Sequence, residues 1–384
     1  MMTTYCRLTS FFAHNRFVVL FLCATCLSGS SCGRTHASPA TSTAAAKAPA
    51  EPDAVLKTIR EYGRGHSGLL SPASSTKPTE TEDAYGARIN ELLVQEDFAQ
   101  LEKIGRENRT ERSRLIGGMW KTYAFYEDLG NAFAMEQESA AFYDQQIART
   151  KKWIAAYPDS TTPRLALAHL YLNYGSFARG TGLANTVSET QWNQLNDLSA
   201  KAKAVLLEAS NLKEKDPGWY YAMQVIALDE GWDKASAREL FDQATAFEPD
   251  YYHFYKQYAN YLLPRWYGEP GDITALAEEV AKRVPEPQGS MLYFYIISRV
   301  TCYCRQDAEE LSHATYAKVK QGYDNISRLY GTSNLNANRF AFIAVTFKDQ
   351  ASAREAFEAI TETKLDIWYN QGVFDTYRNW AYGH

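Results

Sequence analysis

The sequence predicts an all-α fold, a right-handed stack of helix pairs, on three observations. Pro217, Pro249 and Pro285 stand 32 and 36 residues apart, with a pair of amphipathic segments in each interval. Ala237, Phe241, Ala244 and Pro249 place small, large, small and stop at offsets 0, 4, 7 and 12. That order lets the second helix of a hairpin seat on its partner and then turn. Finally, no proline occurs between 79 and 157, between 164 and 216, or after 287. Apolar residues in those stretches recur with the 3.6-residue rhythm of helices.

The first element is an export signal. Arg7 and Arg16 precede the apolar run Phe17–Leu27. Its length suits a signal-peptide core and falls short of the roughly 20 residues of a membrane span. Ser28-Gly29-Ser30-Ser31 leads to Cys32, which resembles a bacterial lipoprotein acceptor, although Gly29 stands where that pattern has Leu. Two readings stay open: lipidation at Cys32, or plain secretory cleavage nearby, after Ala37. With no Asp after Cys32, the first reading points by analogy to the outer membrane. Both send the mature chain to the periplasm, the cell exterior or the cell envelope.

The expected organisation is a signal peptide over 1–32, a low-complexity linker over 33–82, a helical-repeat domain over 83–370 and a C-terminal tail over 371–384. The linker is rich in Ala, Ser, Thr and Pro, with one short amphipathic piece at Val55, Ile59 and Tyr62. In the domain, Ile89, Leu92 and Leu93, then Phe98, Leu101 and Ile104, mark two short helices broken near Glu96-Asp97. Trp120 to Phe125 continues the helical pattern. A longer helix through Phe142, Ile147 and Trp153 stops at Tyr157-Pro158-Asp159. Further helices run through Leu165 to Tyr171 and through Ala202 to Ala209. Tyr252, Tyr255, Tyr258 and Leu262 recur at helical spacing. Leu263 to Asp272 is too rich in Pro and Gly for helix, and Asp272 is the expected N-cap of Ile273–Val284. Tyr293–Val300 and Ala341–Phe347, rich in β-branched and aromatic residues, lack a hairpin partner and are read as buried helices. Residues 338–347 and 351–360 form a last pair.

The body carries little sign of chemistry. Without Arg7 and Arg16 the charge is 38 basic against 45 acidic residues, which disfavours nucleic acid as a partner. No phosphate-binding or dinucleotide glycine pattern, zinc-protease helix or nucleophile elbow is present. No catalytic residue, metal site or cofactor is assigned. Cys302 and Cys304 point about 200° apart on a helix and read as buried small residues. His169 and His253 read as core side chains. The acid pairs Glu278-Glu279 and Glu309-Glu310 read as solvated helix faces.

Two stretches are candidate binding elements. In Phe177-Ala178-Arg179-Gly180, Arg179 either receives an anionic group or caps its helix, with Gly180 making the turn. In Pro264-Arg265-Trp266-Tyr267-Gly268, Arg265, Trp266 and Tyr267 form either a ligand platform or a pin that holds the loop on the core.

The period is near that of tetratricopeptide repeats, which makes the expected fold a tetratricopeptide-like solenoid. The segments Tyr157-Pro158-Asp159-Ser160, Asp216-Pro217-Gly218-Trp219-Tyr220 and Leu262-Leu263-Pro264-Arg265-Trp266-Tyr267-Gly268 resemble a bacterial family catalogued as a domain of unknown function. The resemblance covers roughly 83–370 and departs at Tyr267, where a small residue is expected. It implies an exported helical-repeat protein and no particular activity. The expected role is a cell-envelope scaffold or adaptor for a protein or peptide. The alternative is an envelope enzyme or small-ligand-binding protein with its pocket near Arg179 and the 264–272 loop.

Overall fold

The computed structural model describes residues 52–66, 68–70, 77–130, 138–180, 186–301 and 310–384. The signal peptide, Cys32, most of the tether, Cys302, Cys304 and Glu309 lie outside the described residues. The fold is all-α. Among the described residues the backbone pairs strand-like at one isolated point, Arg114 with Trp120.

The helices are α1 (Pro52–Tyr62), α2 (Glu82–Val94), α3 (Phe98–Glu111), α4 (Lys121–Leu129), α5 (Ala140–Ala156), α6 (Thr162–Arg179), α7 (Glu189–Ala209), α8 (Pro217–Asp229), α9 (Lys234–Phe247), α10 (Tyr252–Tyr261), α11 (Asp272–Arg283), α12 (Gln288–Ile297), α13 (Tyr316–Tyr330), α14 (Asn334–Thr346), α15 (Gln350–Glu358), α16 (Leu365–Trp368) and α17 (Gln371–Tyr382). Short polar side chains start most of them. Thr81, Asp97, Ser139, Asp233, Ser333, Asp349 and Asn370 accept backbone N–H groups in the first turns that follow. Ser188 and Gln191 form a reciprocal capping box,. The break between α2 and α3 falls where the sequence places it, with Glu96 at φ 56°.

Successive helices pack as neighbours, and burial divides them into two kinds. α8, α10 and α12 are buried along nearly their whole length, on every side. α9 and α11 hide one stripe and leave the rest exposed. The stripe of α9 is the one read from sequence. Phe241 stacks on Tyr258 of α10 at 4.5 Å and meets Tyr255 edge-on at 5.3 Å. Ala237 and Ala244 on either side let the backbones approach,. The two patches that could have been strands are α12, extended by a 3₁₀ turn at Ser298–Val300, and α14. Their aromatic and β-branched residues suit full burial.

Two segments read as flanking the domain form helices that pack on it. The region read as linker contains α1, which is part of the core. Leu56, Ile59 and Tyr62 are buried, and Tyr62 stacks on Trp219 at 4.1 Å. The Tyr62 hydroxyl accepts from the Asp216 N–H at 2.8 Å, and Tyr220 donates to the Ile59 carbonyl. The region read as tail is α17, with Phe374 and Ala381 buried against α15 and α16. α1 packs on residues more than 150 positions away, whereas α17 packs on the two helices that precede it.

A strap over 112–120 turns the helix succession back on itself. Arg112 pairs with Glu248 and, at 3.1 Å, with Asp250. Arg114 reaches Asp250 at 3.3 Å and lies over the Trp120 ring at 3.1 Å. Trp120 donates its indole N–H to the Asp250 carbonyl. At the strap's tip the Gly117 carbonyl accepts from the Tyr295 hydroxyl (2.9 Å) and the Asn336 amide (3.0 Å). Gly117 has φ 81° and a Cβ there would lie 2.5 Å from Ser333, so glycine is required on both counts,. The strap thus joins the α9–α10 turn to α12 and α14.

Candidate functional site

The C-terminal ends of α6 and α8 and the loop after α10 converge, and the sequence-predicted residues meet there. Arg179 ends α6. Its guanidinium carbon lies 5.0 Å from the Trp192 ring and 5.9 Å from the Trp266 ring, so an indole from α7 and one from the loop after α10 lie near one cation. Trp192 and Trp266 are half-buried. Arg179 is 4% exposed, and its charge is turned inward. Burial pulls the guanidinium pKa down, opposed by Asp229. Burial likewise pushes the Asp229 carboxyl up, to about 7, against the pull of Arg179.

Arg179 also serves its own helix end. It donates to the Gly180 carbonyl at 3.0 Å, and its carbonyl accepts from the Gln191 side chain. Gly180 has φ 75°, a conformation that favours glycine. This is the capping role weighed in the sequence, with the indoles added to it.

The 262–271 loop is pinned rather than open. Tyr267 donates to the Leu228 carbonyl at 3.1 Å and stacks on Tyr261 at 4.9 Å. Trp266 packs against the core. A Cβ on Gly268 would fall 1.8 Å from the Leu262 carbonyl oxygen, so the loop closes only with glycine there. Tyr267 occupies the place where the resemblance expects a small residue, and it fills the space beside Gly231. Arg265 is exposed. At the edge of this assembly Tyr267 is 36% exposed; Phe177, 37% exposed, packs instead against Tyr143 and Tyr174. The assembly therefore presents an aromatic rim backed by a buried cation.

Two acid readings change. Asp272 is the first residue of α11, not its cap; Gly271 holds that position. The missing acceptor comes from Glu310, which is 4% exposed and takes the Gly271 N–H at 2.6 Å and the Thr274 N–H at 3.1 Å. Glu278 is bonded to Tyr293 and Thr315 and pairs with Lys318, and Glu279 pairs with Arg238. These three acids tie elements together instead of solvating a face.

His169 and His253 lie in the core, as read. His169 Nδ1 is 3.3 Å from Glu127 Oε1. His253 stacks between Tyr123 (3.5 Å) and Tyr252 (3.9 Å). Burial, with Lys256 and Arg114 nearby, holds His253 well below the ordinary imidazole range. Sequence reasoning missed Trp192, Asp229 and Glu310. Each acts on a residue many positions away, and nothing local marks such pairings. No family model, curated protein or solved structure matches the chain.

Proposed function

We propose that this protein is an exported cell-envelope scaffold, built as a tetratricopeptide-like helical-repeat solenoid, that binds a protein or peptide partner through the aromatic rim around Arg179. One observation carries the reading: the Arg179 guanidinium lies 5.0 Å from the Trp192 ring and 5.9 Å from the Trp266 ring, with the exposed ring of Tyr267 in the same loop as Trp266. Aromatic side chains supply large contact area at small entropic cost and are favoured at recognition surfaces. The nearly complete burial of α8, α10 and α12 supports placing the working surface at this edge rather than along the first helices of the pairs. The partner is a segment with apolar or aromatic side chains, because the guanidinium faces inward.

The test uses the full chain in its native envelope. A photocrosslinking residue at exposed Arg265, next to Trp266, is expected to capture one defined partner, whereas one at exposed Glu358 captures none. Trp266→Ala is expected to reduce capture by the crosslinker at Arg265, with the chain still folded by circular dichroism. In the same preparation, the mass of the mature N-terminus reads the export signal, with a diacylglyceryl group on Cys32 for the lipidated form. Equal capture at Arg265 and Glu358, or a chain that retains residues 1–32, overturns the proposal.

A further inference from the structure

The inner faces of α6, α8 and α10 carry buried polar atoms that have no hydrogen-bond partner among the described residues. On α10, His253, Gln257 and Asn260 fall at i, i+4 and i+7 and so share one face,. His253 Nε2, Gln257 Oε1 and Asn260 Nδ2 are all bare. Gln224, on α8, donates its amide N–H to the Phe254 carbonyl at 3.3 Å and keeps a bare Oε1. His169, on α6, has Nδ1 3.3 Å from Glu127 and a bare Nε2. The Tyr251 hydroxyl, at the start of α10, is bare too. Folded proteins pair nearly all buried polar atoms, so each exception calls for an explanation. Exceptions on adjoining helix faces call for a common one.

Ring contacts hold these side chains in one cluster. Tyr221, on α8, is its hub. The Tyr221 ring lies 5.9 Å from His169, nearly parallel to it, and 6.3 Å from His253, edge-on. Tyr251 is 5.1 Å from His253. Tyr123, on α4, stacks on His253 at 3.5 Å and meets Tyr221 edge-on at 5.2 Å. Tyr123 is 7% exposed, against 1% for Tyr221 and 2% for His253, so its ring closes the cluster toward solvent. The bare atoms are of both kinds. The Gln224 and Gln257 oxygens accept, and the Asn260 amide donates. With its Nδ1 proton turned to Glu127, His169 offers Nε2 as an acceptor. Formal charge of either sign is disfavoured here: Glu127 repels an anion, and Lys256 and Arg114 act on His253 against a second cation.

We propose that this cluster is a binding site, closed in this conformation, for a small uncharged polyol such as a monosaccharide, and that the ligand enters as Tyr123 swings off His253. A hydroxyl group both donates and accepts without carrying charge, so one polyol meets the bare oxygens, the imidazole nitrogens and the amide donor together. The tyrosine and histidine rings supply the apolar walls that pack on its carbons, as ligand sites lined by aromatic side chains do. The cluster shares no residue with the aromatic rim around Arg179, and either stands if the other fails.

The test is equilibrium dialysis of the full chain against labelled glucose or galactose, at concentrations too low for the sugar to act as an osmolyte. At least one of the two is expected to bind saturably, with one molecule per chain. Gln257→Leu removes a bare acceptor at similar volume. It should weaken binding about tenfold, as the loss of one hydrogen bond does, and should melt no lower than wild type. His253→Phe keeps the ring stack and removes Nε2. It should weaken binding likewise, and it is the independent variant should Gln257→Leu not fold. Tyr123→Ala opens the entrance and is expected to speed sugar uptake. The proposal is overturned if neither sugar binds saturably, or if both Gln257→Leu and His253→Phe bind as wild type does. Loss of neither affinity nor uptake rate in any variant, with higher melting temperatures for Gln257→Leu and His253→Phe, would mark the bare atoms as packing strain and overturn it equally.

Discussion

At the scale of single residues, the interior is more polar than its helical packing requires. His253 shows the consequence. Its ring lies between Tyr123 and Tyr252, is 2% exposed and is held neutral by burial. In the unfolded chain the same imidazole takes a proton near pH 6.5. The folded pKa is depressed, so the unfolded state binds the extra proton first as pH falls. The stability contributed by neutral His253 is therefore complete above about pH 6.5 and is lost as pH drops below it. Denaturant titrations of wild type between pH 7 and 5 are expected to show a falling contribution that His253→Phe removes. If both proteins have the same slope, His253 is not the group that titrates. The sequence marked His253 as a core residue from its apolar neighbours. It did not reveal the stacking, because the two faces of the ring are covered by α4 and by the adjacent Tyr252, and only the first required tertiary contact.

At the scale of elements, helix type and order are largely legible in the sequence. Proline positions bound α8 and precede α10 and α12, and polar caps start most of the others. The start of α11 departs from this. A local rule nominates Asp272, yet the donors there are met by Glu310, 36 to 39 residues downstream. Glu310→Ala leaves the Gly271 and Thr274 N–H groups without their acceptor. It should cost about 1–2 kcal/mol, the usual range for losing an N-cap, read as a lower urea midpoint. An unchanged midpoint would mean that solvent replaces the carboxylate at no cost. The same limit explains α1 and α17. Each has only one short apolar stripe, and a stripe is informative only when its partner is known. Tyr62 needs Trp219 to be a core residue, and residues 217–220 gave no sign of expecting it.

At the scale of the whole molecule, the strap over 112–120 decides how the helices cohere. In an open array each unit touches only its neighbours, and unfolding can proceed piecemeal. Here Gly117 links the early chain to Tyr295 and Asn336, and Lys77 donates to the Ser327 carbonyl. Wild type is therefore expected to unfold in a single calorimetric transition, with equal calorimetric and van 't Hoff enthalpies. Removing both donors to Gly117, by Tyr295→Phe with Asn336→Ala, leaves a buried carbonyl unsatisfied at roughly 1–3 kcal/mol. It should lower the melting temperature and split the transition. Two transitions in wild type would show that the strap does not couple the halves.

The candidate rim combines both kinds of information. Arg179 and Trp266 are visible in the sequence because a cation before glycine and an indole in a Pro/Gly-rich loop are locally unusual. That they come together, with Trp192 also near the guanidinium, follows from helices of particular lengths meeting at one edge. What the sequence determined by itself is what depends on near neighbours: helical periodicity, caps and breaks, the apolar stripe of α9 and the glycine at 180. Tertiary structure alone decided the pairings across distance: α1 on α8, Glu310 on α11, and the strap on α12 and α14. The physical reason is that backbone torsion and side-chain spacing are set within a turn or two of chain. Burial and charge compensation depend on which surfaces meet, and packing selects those from many residues at once.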